Sequence, residues 1–242
     1  VNVPLIDFNG RVRDRVRELR RRRIRLAAKI LLGLMVVAGL AWVGVASPLF
    51  SVKKVVVSGN AIVSTDDVTK AAKVPMGVPL AQVDAAAISR RIVTLPAVAR
   101  GDVALSLPDT VTIKIIERAV AFVVADGGGF AWVDATGATF NSSTERPAGV
   151  PLAVADLNDH QLLSDVATVV SALPSRLTDK VVQVTAPTRD SIVIATGERT
   201  QIVWGSAESS SLKGQLADTM TKAQPTCRSV DVSSPSHPIT RC

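Results

Sequence analysis

Ser210 and Lys213 stand at the S-x-x-K spacing of acylating serine enzymes, where a lysine one turn along helps activate the serine hydroxyl. A penicillin-binding site built on that pair also needs Ser-Asp-Asn and Lys-Thr-Gly segments, and the chain has neither. Ser51–Lys54 repeats the same pattern by chance. The plainer reading is a serine capping a helix, with an exposed lysine behind it. His160 and His237 are the only histidines, and no pair stands at zinc-ligand spacing. Gly127-Gly128-Gly129 lacks the Lys-Ser/Thr and the helix start of a phosphate loop, and reads as a hairpin turn. Asp156-Leu157-Asn158-Asp159 lacks the glycine and the distal glutamate of a calcium loop. No G-x-S-x-G elbow appears. The expectation is a non-enzymatic binding protein with no cofactor and no metal. Cys227 and Cys242 are the only cysteines; a bridge between them would tie the tail to the last predicted strand.

The charge pattern says where such a protein sits. The net charge is +7. Residues 1–29 hold ten basic and three acidic side chains, and the remaining 18 basic and 18 acidic residues cancel. From Ile30 to Val52 run 23 residues without a charge, mostly Leu, Val, Ala and Gly. About 20 apolar residues span a bilayer as a helix. The basic flank, with Arg20, Arg21, Arg22, Arg23, Arg25 and Lys29 nearest the span, places the amino terminus in the cytoplasm. Gly44 and Ala46 before Ser47 resemble a signal-peptide cleavage site. The apolar run is longer than a signal core, and Pro48 follows the site, so an uncleaved anchor is the preferred reading. The tail is expected to contact anionic membrane lipids rather than nucleic acid, since Phe8 is its only aromatic residue. The predicted divisions are a basic tail at 1–29, a transmembrane helix at 30–52, modules at 53–118 and 119–235, and a tail at 236–242.

The first module reads as strand, helix, helix, strand, strand. Val52–Ser58 is rich in β-branched residues, and Gly59-Asn60 turns the chain. Ser64 opens a helix that runs to about Lys73, and Asp84 caps a second with Ile88, Ile92 and Leu95 at helical spacing. Val98–Leu107 and Thr110–Glu117 flank the turn signal Pro108-Asp109. The second module opens with a hairpin around Gly127–Gly129, then a turn at Asp134–Gly137 and a loop over 145–151. An amphipathic helix follows at Asp159–Leu173 and another at Ser209–Ala223, with strands at 181–184, 191–195, 201–204 and 228–233. The fold class is α+β.

The chain resembles the FtsQ/DivIB family of bitopic cell-division proteins, in an actinobacterial form. The resemblance rests on V-x-V-x-G-N at Val55–Asn60, P-L-x-x-V-D at Pro79–Asp84, L-P-x-V at Leu95–Val98 and "LPDTVTIKIIERAVAF" at Leu107–Phe122, all behind the anchor. Ile202-Val203-Trp204-Gly205 extends it. It implies a polypeptide-transport-associated (POTRA) domain of βααββ order, then a mixed α/β "β domain" with an extended antiparallel sheet. It also implies a scaffold at the division septum that binds FtsB and FtsL outside the cytoplasmic membrane and acts indirectly on septal peptidoglycan synthesis. The family's partner surface lies around its last strand, which here gives Ser229, Val230, Asp231, Val232, Ser233 and Ser234. Arg189 is a weaker candidate, for an ion pair with an acidic partner helix. The alternative function is a transport-associated module handling passing polypeptides; the uncleaved anchor and the second module count against it.

Overall fold

The computed structural model describes residues 22–39, 42, 48–197 and 200–242. Residues 22–39 form a helix, α1, on which Ile30, Leu31, Leu34, Val36 and Val37 are all exposed. Among the described residues no helix is long and apolar enough to cross a membrane. The expected span at 30–52 is described only at 30–39, 42 and 48–52, and of the topology residues Arg20 and Arg21 lie outside the described set. The far boundary of that span does change. Ser51 bridges to Pro79, and Val52 is buried with its N–H bonded to the Val78 carbonyl at 2.9 Å. Both residues belong to the folded module, so the apolar stretch available to a membrane ends before the 3-10 turn at Pro48–Phe50.

The described residues fall into two compact units. One comprises 73–88, 103–113 and the described part of 1–56; the other comprises 57–72, 89–102 and 114–242. The amino-terminal module has the expected element order: β1 (Lys54–Ser58), α2 (Thr65–Ala72), α3 (Ala85–Ile92), β2 (Val98–Ser106) and β3 (Thr110–Glu117). Its sheet runs β1-β3-β2. Ser64 Oγ accepts the Asp67 N–H at 3.1 Å, and Asp84 Oδ1 accepts the Ala87 N–H at 2.9 Å. These bonds satisfy donors that a helix start otherwise leaves open. β3 alternates as the sequence predicts, with Val111, Ile113 and Ile115 buried.

The second unit is built on a nine-stranded sheet. Its strands are β4 (Val120–Asp126), β5 (Gly129–Asp134), β6 (Thr139–Ser143), β7 (Leu152–Val154), β8 (Val181–Thr185), β9 (Ile192–Thr196), β10 (Gln201–Gly205), β11 (Ser229–Asp231) and β12 (Ile239–Arg241). The order across the sheet is β12-β11-β10-β9-β8-β7-β4-β5-β6. The expected antiparallel sheet is in fact mixed, because β4–β7, β7–β8 and β10–β11 pair in parallel. Parallel neighbours need crossovers; β5, β6 and the loop after them lie between β4 and β7, and helices supply the other two. α4 (His160–Ser171) and the short α5 (Ser175–Thr178) connect β7 to β8, and α6 (Ser210–Ala223) connects β10 to β11.

Local chemistry explains these elements. Gly127 and Gly128 both have positive φ (51° and 98°), as a two-residue type I′ hairpin requires. Asp159 Oδ1 caps α4 by accepting the Gln161 and Leu162 N–H groups. α4 then buries Leu162, Leu163, Val166, Ala167, Val169 and Val170 in one core with Phe122, Ile194, Ile202 and Trp204. Each large apolar side chain fully buried there contributes roughly 1.5–3 kcal/mol. β6, β7, α5 and β12 have no counterpart among the expected elements; β7, α5 and β12 are four residues or fewer, too short to show a period.

Candidate partner surface at the carboxy-terminal end of the sheet

α6 and β10 set up this end of the molecule. Ser209, with φ 54°, is the residue before α6, and its side chain makes no capping bond. Ser210 is buried: its hydroxyl donates to the Ala207 carbonyl at 2.7 Å and accepts the Trp204 indole N–H at 3.1 Å. Lys213 is not exposed, as the spacing predicts, but 2% accessible, and its ammonium donates to the Ser206 carbonyl at 2.8 Å. Burial pushes its pKa down, and Glu208 opposes this in part. Both side chains spend their hydrogen bonds holding the β10–α6 connection over the Trp204 ring. Ser210 is therefore neither the cap nor a nucleophile paired to a base.

β11 continues the sheet in parallel with β10, pairing Ile202 with Val230; the Val232 N–H bonds the Val203 carbonyl at 2.9 Å. Val230 and Val232 are fully buried in the core that holds Trp204. β11 is not the last strand. The chain reverses and returns as β12, antiparallel to β11, pairing Val230 with Thr240. Asp231 Oδ1 accepts both the N–H (3.0 Å) and the hydroxyl (2.7 Å) of Ser233, and the His237 N–H bonds the Ser234 carbonyl at 3.0 Å. Cys227 and Cys242 are joined by a disulfide, which fastens the far end of β12 beside the start of β11.

These contacts limit what 229–234 can offer a partner strand. β11 is covered on both sides, so Ser229, Val230, Asp231 and Val232 offer no free edge, while Ser233 and Ser234 lie on an exposed turn. The open edge at this end of the sheet is β12, and β6 is the terminal strand at the other. The Arg241 carbonyl is spent on the Arg228 N–H at 2.9 Å. Because backbone groups alternate sides along a strand, the Thr240 N–H and C=O point away from β11. Ile239 is 54% exposed beside them. Only the cysteine at 242 could have signalled β12, since Ser, Pro and His fill the chain before it. Arg189 already has a partner within the chain. Its guanidinium is taken by the chain's own α4, at 2.5 Å from Asp165 and 2.9 Å from Gln161 Oε1.

At the other end of the second unit, Arg118 acts as a clamp that the sequence reading passed over. Its Nε donates to the Pro96 carbonyl at 3.0 Å, and its guanidinium pairs with the buried Asp134. Asp134 also accepts from the Thr136 N–H and hydroxyl and from the Ala138 N–H. Burial raises its pKa, but these donors outweigh it and hold the carboxyl below its ordinary value. Next to it, Glu117 accepts the N–H groups of Ala61, Ile62 and Val63 at 2.8–2.9 Å; desolvation is again outweighed, and its pKa is lowered. Among the described residues no three His, Cys, Asp or Glu side chains gather as a metal site.

Two family models match. Residues 50–118 fit "POTRA domain, FtsQ-type", and residues 121–233 fit "Cell division protein FtsQ/DivIB, C-terminal". The chain belongs to the FtsQ/DivIB family. A cell division protein FtsQ of Streptomyces bingchenggensis is 31% identical over 240 residues, covering 94% of this chain and 89% of that one. One from Streptomyces venezuelae is 33% identical over 217 residues, covering 85% and 79%. The FtsQ of Mycobacteroides abscessus is 30% identical over 214 residues, covering 88% and 68%. The extracytoplasmic domain of the trans isomer of the division protein DivIB from Geobacillus stearothermophilus aligns with a TM-score of 0.37 at 16% identity, covering 46% of this chain and 96% of that one. The FtsQ/DivIB model match stops at residue 233, so β12 and Cys242 lie beyond it.

Proposed function

We propose that this FtsQ/DivIB chain is a non-catalytic division scaffold, anchored in the cytoplasmic membrane by the apolar stretch that begins at Ile30. Its amino terminus is cytoplasmic, its folded modules, divided near residue 118, are outside, and it works at the septum. It captures FtsB and FtsL and so links assembly of the division machinery to septal peptidoglycan synthesis. The observation that carries the reading is the outward-facing backbone of β12 at the end of a nine-stranded sheet. An unpaired strand edge accepts a partner strand through main-chain hydrogen bonds, and needs no catalytic side chain. Ile239 supplies an apolar contact beside it.

The test uses the full chain in detergent with FtsB as the captured protein. Thr240→Pro removes the outward donor while leaving the groups that face β11 in place. It is expected to abolish capture, whereas Thr240→Ala keeps it. Capture that survives Thr240→Pro in a folded variant rejects the β12 edge. Separately, a fluorescent fusion of the chain is expected at midcell, and a uniform envelope distribution counts against the septal assignment.

A further inference from the structure

We propose that the amino-terminal module rests on the membrane surface through an apolar patch made by Leu49, Met76 and Leu107. The proposal rests on the anchor reading above. All three side chains are strongly exposed, at 70%, 57% and 77%. They lie far apart in sequence, and backbone bonds tie the turns that carry Met76 and Leu107 to residues 52–54, next to the point where the chain leaves its apolar stretch. The Gly77 N–H bonds the Val52 carbonyl at 2.8 Å, which sets Met76 beside Val52. The Lys53 and Lys54 N–H groups bond the Asp109 carbonyl at 2.9 and 3.2 Å, which sets the turn carrying Leu107 beside Lys53. Leu49 is in the 3-10 turn just before this strand. All of these residues belong to one compact unit.

Three features identify a lipid bilayer as the occupant. First, Ser51 and Val52 are folded into the module, so the uncharged run left for the membrane is 30–47. As a helix that run measures about 27 Å, against about 30 Å of hydrocarbon. The shortfall draws Leu49 and the turns beside it to the interface. Second, Lys53, Lys54 and Lys73 are exposed around the same turns, with Asp109 paired to Lys53 at 4.0 Å. An apolar tip with a basic rim suits the boundary between acyl chains and anionic headgroups. Third, an exposed apolar patch is costly in water and marks a contact surface. The patch would fix the tilt of the module on the membrane.

The test places a nitroxide on an introduced cysteine in the full chain, the native cysteines being bridged. The protein is reconstituted in vesicles of phosphatidylcholine and phosphatidylglycerol. Accessibility to oxygen, which partitions into lipid, is compared with that to a water-soluble nickel chelate. Labels at Met76→Cys and Leu107→Cys are expected to favour oxygen, as is one at Val36→Cys in the anchor. If position 36 favours oxygen while 76 and 107 both favour nickel, the anchor stands and the patch is overturned, as when it serves a protein partner instead. If position 36 also favours nickel, the anchor reading fails and the patch fails with it.

Discussion

Glu117 and Arg118 are adjacent, and each closes a contact distant in sequence. Glu117 holds the 61–63 loop by three backbone bonds, and Arg118 ties the Pro96 carbonyl to Asp134. Charge-assisted bonds of this kind contribute about 1.5–3 kcal/mol where they are shielded from water. Asp134 is the more buried acceptor, so Arg118→Ala should cost more, about 3 kcal/mol, because it takes the guanidinium away from a buried carboxylate and leaves it only neutral donors. Glu117→Ala should cost about 1 kcal/mol, since water can replace its bonds to an exposed loop. Urea unfolding measures both, and equal costs would contradict this ranking. The pH dependence follows from the lowered pKa of both acids, whose ordinary values are 4.5 and 3.8. A carboxyl with a depressed folded pKa contributes stability that is complete above its unfolded pKa and lost as pH falls through the folded one. Stability should therefore fall steeply below about pH 4, and the fall should be shallower in Asp134→Asn.

At the scale of elements, the disulfide decides whether β12 exists. A three-residue strand pairing on one side only holds little free energy of its own. The Cys227–Cys242 bridge closes a loop of 15-residue separation, worth about 3 kcal/mol in the chain-entropy model. Cys242→Ser is expected to release 233–242 to proteolysis and weaken FtsB capture, while the amides of β9 and β10 stay protected from exchange. Loss of protection throughout the sheet would show that the strap holds more than the edge. α6 has a tighter constraint. A Cβ on Gly214 would meet the Ala172 carbonyl oxygen, just past α4, at 2.3 Å, so Gly214→Ala must push the two helices apart. Unfolding by urea should show a loss of about 1–3 kcal/mol, the usual cost of overpacking. The same elements mark what sequence could disclose. In the βααββ module α2, α3 and β3 were legible, as were α4 and α6, because their apolar residues repeat with period 2 or 3.6 across eight or more residues, while the five-residue β1 was legible by its run of valines. β7 and β12 have three residues each and exist because distant strands offer them a ladder, which no local pattern encodes. Lys213 misled for a related reason: a lysine on a helix is ordinarily solvated, and only the return of the 206–208 loop over it supplies the buried carbonyl it needs.

Taken as one molecule, the chain separates its charge from the surface proposed to bind a partner. The whole +7 excess sits in residues 1–29, and everything after Lys29 sums to zero. Long-range attraction therefore belongs to the tail. The edge proposed to take a partner has a backbone donor and acceptor, an exposed Ile239, and Arg241 as its one charge. Main-chain bonds and apolar contact are insensitive to ionic strength, whereas exposed charge pairs beyond a Debye length are screened. Raising salt from about 0.1 M to about 1 M shortens that length from about 10 Å to about 3 Å. FtsB capture in detergent should then change by less than about threefold, under 1 kcal/mol. Binding of the tail to anionic vesicles, where each basic residue near the surface contributes about 1 kcal/mol, should collapse over the same range. Titrating both on the same preparation makes the comparison internal. A salt dependence of capture as steep as that of vesicle binding would move the partner surface from the β12 backbone to a charged face. Thr240→Pro would then be expected to leave capture intact.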